Sequence, residues 1–214
     1  MTTRPVKLAC FTLATVLACS SYKYIPPATF TYDGPVTDGV PYRPLTRADF
    51  QAQEPPDPVR GKIDALTAIS CVVDSVFIFP IPEDGDSARW QTSLEKARFR
   101  AIMYPKKSWW NPKRTSKKDT QRLLEHEQTH FDIAELVVRR ANARVQPIRA
   151  VAPTPAASIQ KARELFDQEM ATLGRSLQDW TAKYDLETKN GTDKREQKRW
   201  VELVRKELAM TDSL

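Results

Sequence analysis

The chain holds two histidines, four residues apart with a glutamate between them: His126-Glu127-Gln128-Thr129-His130. On an α-helix a spacing of four puts two side chains on one face, a turn apart. Two imidazoles so placed can reach one zinc ion, which favours nitrogen and sulfur donors in tetrahedral geometry. Glu127 then falls beside such an ion rather than on it. From there a carboxylate can take a proton from a water molecule attacking a peptide carbonyl and pass it to the leaving amine. His126 and His130 are therefore candidate metal ligands, and Glu127 is the candidate general base of a metal-assisted hydrolysis.

The element that must position them is a helix over about 119–144. Thr115 and Ser116 offer N-caps, and Pro147 ends the run. Its inward stripe reads Leu123, Glu127, His130, Ala134, Val137, Ala141, so ionisable residues interrupt an apolar face. A buried glutamate beside two histidines is costly unless a metal or another partner satisfies it. Upstream the pattern is strand-like. Residues 65–79 are rich in Ile, Val and Phe, with Pro80 and Pro82 as a stop. Residues 97–104 alternate, with Phe99, Ala101 and Met103 on one side and Arg98 and Arg100 on the other, as in a half-buried strand. Trp109 and Trp110 follow, as core residues or as part of a cleft wall. Downstream, Ile159, Ala162, Phe166, Met170, Leu173, Leu177, Trp180 and Tyr184 recur at helical spacing, predicting a helix over 156–188. Asn190-Gly191 stops it. A third helix covers 193–210, with Trp200, Leu203, Val204 and Leu208 apolar. The fold class expected is α+β: a small sheet packed on the metal-site helix, followed by two more long helices.

The N-terminus reads as an address. Arg4 and Lys7 precede an apolar run, Leu8 to Ala18, too short to span a bilayer. Val16-Leu17-Ala18-Cys19 then matches a bacterial lipobox, which predicts a lipoprotein signal over 1–19 and lipidation at Cys19. With Cys10 removed and Cys19 acylated, Cys71 has no cysteine to pair with and is expected as a small buried hydrophobe. Residues 20–60 carry eight prolines, from Pro26 to Pro58, and predict an extended tether. Leu45 and Phe50 interrupt it as a docking point. The domain proper is expected over 61–214. Membrane contact through the lipid anchor, and a place in the bacterial envelope at the outer membrane or in the periplasm, follow as expectations.

Of the 214 residues, 41% are hydrophobic and 28% charged, enough for one domain with a core. The net charge of +6 is spread along the chain without a nucleic-acid reading motif, which argues against nucleic acid as a partner. The basic stretch from Arg98 to Arg122 is expected as solvated strand and loop surface.

Four segments, in order, resemble a bacterial family catalogued as a domain of unknown function and predicted to be secreted zinc-dependent proteases. They are Pro44-Leu45-Thr46 to Asp49-Phe50 (family form PLTWxDF), Ser108-Trp109, Leu123 to Ile133 (LxxHEQxHFDI), and Tyr184-Asp185-Leu186-Glu187-Thr188 (YDxxTxHG), continued by Gln197 and Trp200. The match covers most of the chain beyond the leader. The resemblance implies a zincin-like α+β domain that hydrolyses peptide or protein substrate with zinc. In zincins a strand before the metal helix takes substrate by strand addition, and residues 97–104 are placed to do so.

One departure matters. The family has histidine before glycine where this chain has Asn190 before Gly191. That histidine is the natural third zinc ligand, and asparagine is a poor donor. The metzincin pattern does not supply one either, since Ile133 and Leu136 stand where its glycine and third histidine belong. Asp185, one turn before Asn190, is a carboxylate replacement; Glu169 and, less favourably placed, Glu164 are others. The reading is thus a zinc-dependent endopeptidase of the bacterial envelope. Its alternative is a degenerate, non-catalytic zincin-like lipoprotein acting as an envelope binding or structural protein.

Overall fold

The computed structural model describes residues 28–30, 38–55, 64–83, 86–113 and 116–211. The leader with Cys19, much of the proline-rich segment and Thr115 lie outside the described residues. In chain order the elements are β1 (Ala28–Phe30), β2 (Val40–Pro41), β3 (Ala65–Leu66), β4 (Ile69–Glu83), β5 (Asp86–Met103), β6 (Trp109–Trp110), α1 (Lys117–Arg144), β7 (Ile148–Ala152), α2 (Pro155–Thr188) and α3 (Lys194–Thr211). The fold class is α+β.

β4 and β5 form one long antiparallel hairpin, paired from Ile69↔Met103 to Glu83↔Asp86. β4 starts and ends later than the sequence expectation of 65–79, and β5 starts well before the expected 97. Pro80 and Pro82 do not stop β4: spaced two apart, they remove N–H groups from one edge only, and beyond Ile78 the strand has, among the described residues, a partner on only one edge. β1 pairs with β4. The other edge of β5 carries β7 at Trp90–Leu94 and β2 at Ile102–Met103. Between those two, the Asn142 side chain of α1 donates to the Phe99 carbonyl and accepts from its N–H, both at 2.9 Å. That edge is therefore closed to an added strand, as protein sheets commonly arrange. β7, absent from the sequence reading, is a five-residue strand with little alternation, and it follows α1 after Pro147.

Ser116 caps α1, its Oγ accepting from the Asp119 N–H, a contact worth about 1 kcal/mol. Helix α1 is buried on more than the one stripe that its sequence shows. Phe131, Ile133, Leu136 and Val138 are all inaccessible, because the sheet covers one side and α3 and the 38–55 segment cover others. Phe99 of β5 stacks on Phe166 of α2 at 6.2 Å, joining sheet and helices in one core. Cys71 sits half-buried against that core, and burial pushes its thiol up to about 12. Trp109 and Trp110 are core residues.

Residues 38–55, grouped with the tether by their prolines, belong to the folded body. Tyr42 meets Phe131 edge-on at 5.3 Å, and Phe50 meets Trp110 at 5.2 Å. Leu45 is buried, and its N–H donates to Gln128 Oε1 at 2.6 Å. Asp49 accepts from the Arg43 guanidinium and from the Thr46 N–H, fixing a short 3₁₀ turn over Arg47–Asp49. Proline supplies the extended path, and the apolar side chains between the prolines supply the docking.

Candidate metal centre

His126 and His130 leave α1 on one face, with ring centroids 4.8 Å apart. Asp185, in the last turn of α2, reaches between them. Its Oδ1 lies 3.3 Å from His126 Nε2 and 3.0 Å from His130 Nε2. The three ligand atoms all lie within 4.8 Å of one another, a group that could hold a metal ion. Tetrahedral ligands on zinc bonds of about 2.0–2.1 Å stand about 3.3 Å apart. The carboxylate-to-imidazole separations match that spacing, so these residues could hold a metal ion of that kind. Among the alternatives weighed from sequence, Asn190 lines the same cavity. Glu169 and Glu164 are exposed on α2 and outside the group.

The local sequence explains how Asp185 gets there. Thr188 Oγ1 donates to the Tyr184 carbonyl and accepts from the Gly191 N–H at 3.1 Å. This folds the chain through three left-handed residues, Lys189, Asn190 and Gly191, before α3 begins. The turn packs Gly191 against the His126 ring: a Cβ there would lie 2.8 Å from Nδ1. Arg122, one turn before His126, donates to the Gly191 carbonyl at 2.9 Å and ties the turn to α1.

Burial works to raise the Asp185 carboxyl, but hydrogen bonds from His126 and His130 outweigh it and hold the group well below the usual carboxylate range. Burial works to lower His130, yet the bond and charge of Asp185, with the charge of Glu127, raise it. Glu127 is 3% exposed and lines the cavity, and its Oε2 accepts from Thr67 Oγ1. The cavity, about 670 Å³, runs between residues 65–67, α1, and the C-terminal half of α2 with its closing turn.

Behind the site, Gln128 and Asp132 alternate with Glu127 and His130 on α1. Gln128 Nε2 and the Tyr42 hydroxyl both donate to Asp132 Oδ1, at 2.7 and 2.9 Å. The same Gln128 accepts from Leu45, so the 38–55 segment is fastened to the helix directly behind the candidate ligands.

Three contributors have no role in the sequence reading: Thr67, Gly191 as a packing surface, and Gln197. Gln197 Oε1 lies 3.2 Å from His126 Nδ1 and accepts from Tyr184 at 2.8 Å. Its signal was a glutamine on the apolar stripe of α3, three residues before Trp200. Compared with known proteins, the chain matches no family model, no curated protein sequence and no solved structure.

Proposed function

We propose that this protein is a zinc-dependent endopeptidase on a zincin-like fold. The observation that supports this most is the convergence of His126, His130 and Asp185 in a cavity that Glu127 also lines. Zinc bound there would supply an acidified water and a Lewis acid for the scissile carbonyl. Glu127 receives the proton of the attacking water and delivers it to the leaving amine. Thr67 occupies one of its oxygens and leaves the other for that water. Asp185 stands in for the histidine that the resembling family carries at the position of Asn190.

The substrate strand is β3 rather than β5. β5 is flanked on both edges, whereas β3 pairs with β6 on one edge and, among the described residues, has no strand partner on the other. Ala65, Leu66 and Thr67 line the cavity, so an extended peptide paired there crosses in front of Glu127. The lipobox at Cys19 and the proline-rich segment support a lipid-anchored envelope protein. Among the described residues no helix is long and apolar enough to cross a membrane.

The test is hydrolysis of an unstructured protein substrate by zinc-loaded wild type and by Glu127→Gln. The proposal expects a loss of about 10²–10⁴-fold in the variant with zinc retained. Equal rates would assign the cleavage to another base or to a contaminant. A wild type that binds zinc tightly and cleaves nothing would favour the degenerate binding protein.

A further inference from the structure

We infer that Gln197 is a positioning residue for the metal site: its side-chain carbonyl takes the Nδ1 proton of His126 and so commits Nε2 as the ligand atom. This rests on the zinc reading above and goes beyond it, since neither motif nor spacing gives Gln197 a task.

The geometry is specific. Gln197 is 3% exposed, in the first turns of α3, which packs on α1. Its Oε1 has two lone pairs and two neighbours, His126 Nδ1 at 3.2 Å and the Tyr184 hydroxyl at 2.8 Å. A tyrosine hydroxyl carries one proton, and the shorter of its two acceptor contacts is the one to Gln197 Oε1. Tyr184 also points at the His126 carbonyl, at 3.3 Å, and its ring stacks on the His126 ring at 4.8 Å. With Tyr184 donating, Oε1 faces the imidazole as an acceptor, and Nδ1 must carry the proton. Nε2, 3.3 Å from Asp185 Oδ1, is then the nitrogen left to ligate a metal held between them.

The reversed amide would donate into Nδ1 and leave the proton on Nε2, and that tautomer cannot ligate. The chosen orientation has a cost: Gln197 Nε2 is buried and, among the described residues, has no hydrogen-bond partner. A leucine or methionine would fill the same space on an apolar stripe without it. An unsatisfied buried amide kept in place of a hydrophobe is what a function for its other end would require. Metal-bound histidines generally hold their second nitrogen in this way, and removing the outer partner weakens metal affinity by about 10–100-fold.

The experiment compares zinc affinity, by chelator competition, for the purified wild type, Gln197→Leu and Gln197→Glu. Gln197→Leu removes the orphaned amide together with the acceptor for Nδ1, and is expected to bind zinc about 10–100-fold more weakly. Gln197→Glu keeps an acceptor and is expected to bind within a few-fold of wild type. Zinc affinity unchanged in Gln197→Leu, or equally weak in both variants, overturns the inference and leaves the metal site standing. Wild type that takes up no zinc overturns the metal reading and the inference together. Independently of any variant, long-range ¹H–¹⁵N spectra of zinc-loaded wild type should show His126 ligated through Nε2 with Nδ1 protonated; ligation through Nδ1 would contradict it.

Discussion

Gly191→Ala should disturb the metal site through a single methyl group. Gly191 has φ +72°, in the left-handed region, where a residue with a Cβ is disfavoured by about 1–2 kcal/mol. The three atoms nearest the new methyl all belong to His126, at 2.8, 2.9 and 3.2 Å. The ring cannot yield freely, because Tyr184 stacks on it and Gln197 holds Nδ1. Overpacking of this kind costs about 1–3 kcal/mol, which brings the expected loss to about 2–5 kcal/mol. Urea denaturation of the metal-free variant measures it, and chelator competition measures the accompanying loss of zinc affinity as Nε2 is displaced. Gly174→Ala is the control. Gly174 lines the same cavity on α2 but has open space where its Cβ would go, so it should gain about 0.5–1 kcal/mol from helix propensity. A loss below about 1 kcal/mol in Gly191→Ala, with zinc affinity unchanged, would refute the seating of this turn on His126.

Three other outcomes are expected. Asp185→Ala should abolish competitive zinc binding while Asn190→Ala and Glu169→Ala retain it; the reverse pattern would assign the third ligand to another residue. In the metal-free protein, the lowered Asp185 carboxyl contributes stability that is present above its ordinary value of 3.8 and lost as pH falls below it. The raised His130 contributes stability that is present below 6.5 and lost as pH rises through its folded value. The melting temperature with chelator present should therefore peak between those limits and decline toward pH 8, and zinc should flatten that decline; a steady rise from pH 6 to 8 without metal would oppose this. Tyr42→Phe should cost about 1–2 kcal/mol in a denaturant titration, because it strips one donor from the buried Asp132 carboxylate that Gln128 shares; no loss would mean that this hydrogen bond adds nothing to the hold on the 38–55 segment.

The sequence carried the site further than the sheet. His126, Glu127 and His130 follow from helical spacing, and the three helices from apolar periodicity with Ser116 and Gly191 at their ends. Asp185 stood among the third-ligand candidates, but spacing could not separate it from Glu169, since both lie on α2. The difference is made by Thr188 and the left-handed turn, which brings Asp185 over the histidines. β4 ran on past Phe79 because proline's effect depends on which edge is paired, and β5 began well before Ala97 because it pairs with β4 back to the hairpin turn. The docking of Leu45 and Phe50 was legible as an apolar interruption, but β2 and the extent of the docked segment were masked by a proline-rich composition whose tertiary contacts lie some eighty to ninety residues away, at Gln128 and Asp132. Gln197 was legible as a continuation of the resembling family's motif and as a polar residue on an apolar stripe, with no role attached to it.

The most direct test of the central claim is the coordination of zinc in the loaded protein, by crystallography or X-ray absorption on wild type and Asp185→Ala. The prediction is one zinc on His126 Nε2, His130 Nε2 and an Asp185 oxygen at about 2.0–2.2 Å, with the oxygen shell altered in the variant. Zinc lying away from this group, or a coordination shell unchanged when Asp185 is removed, would contradict it.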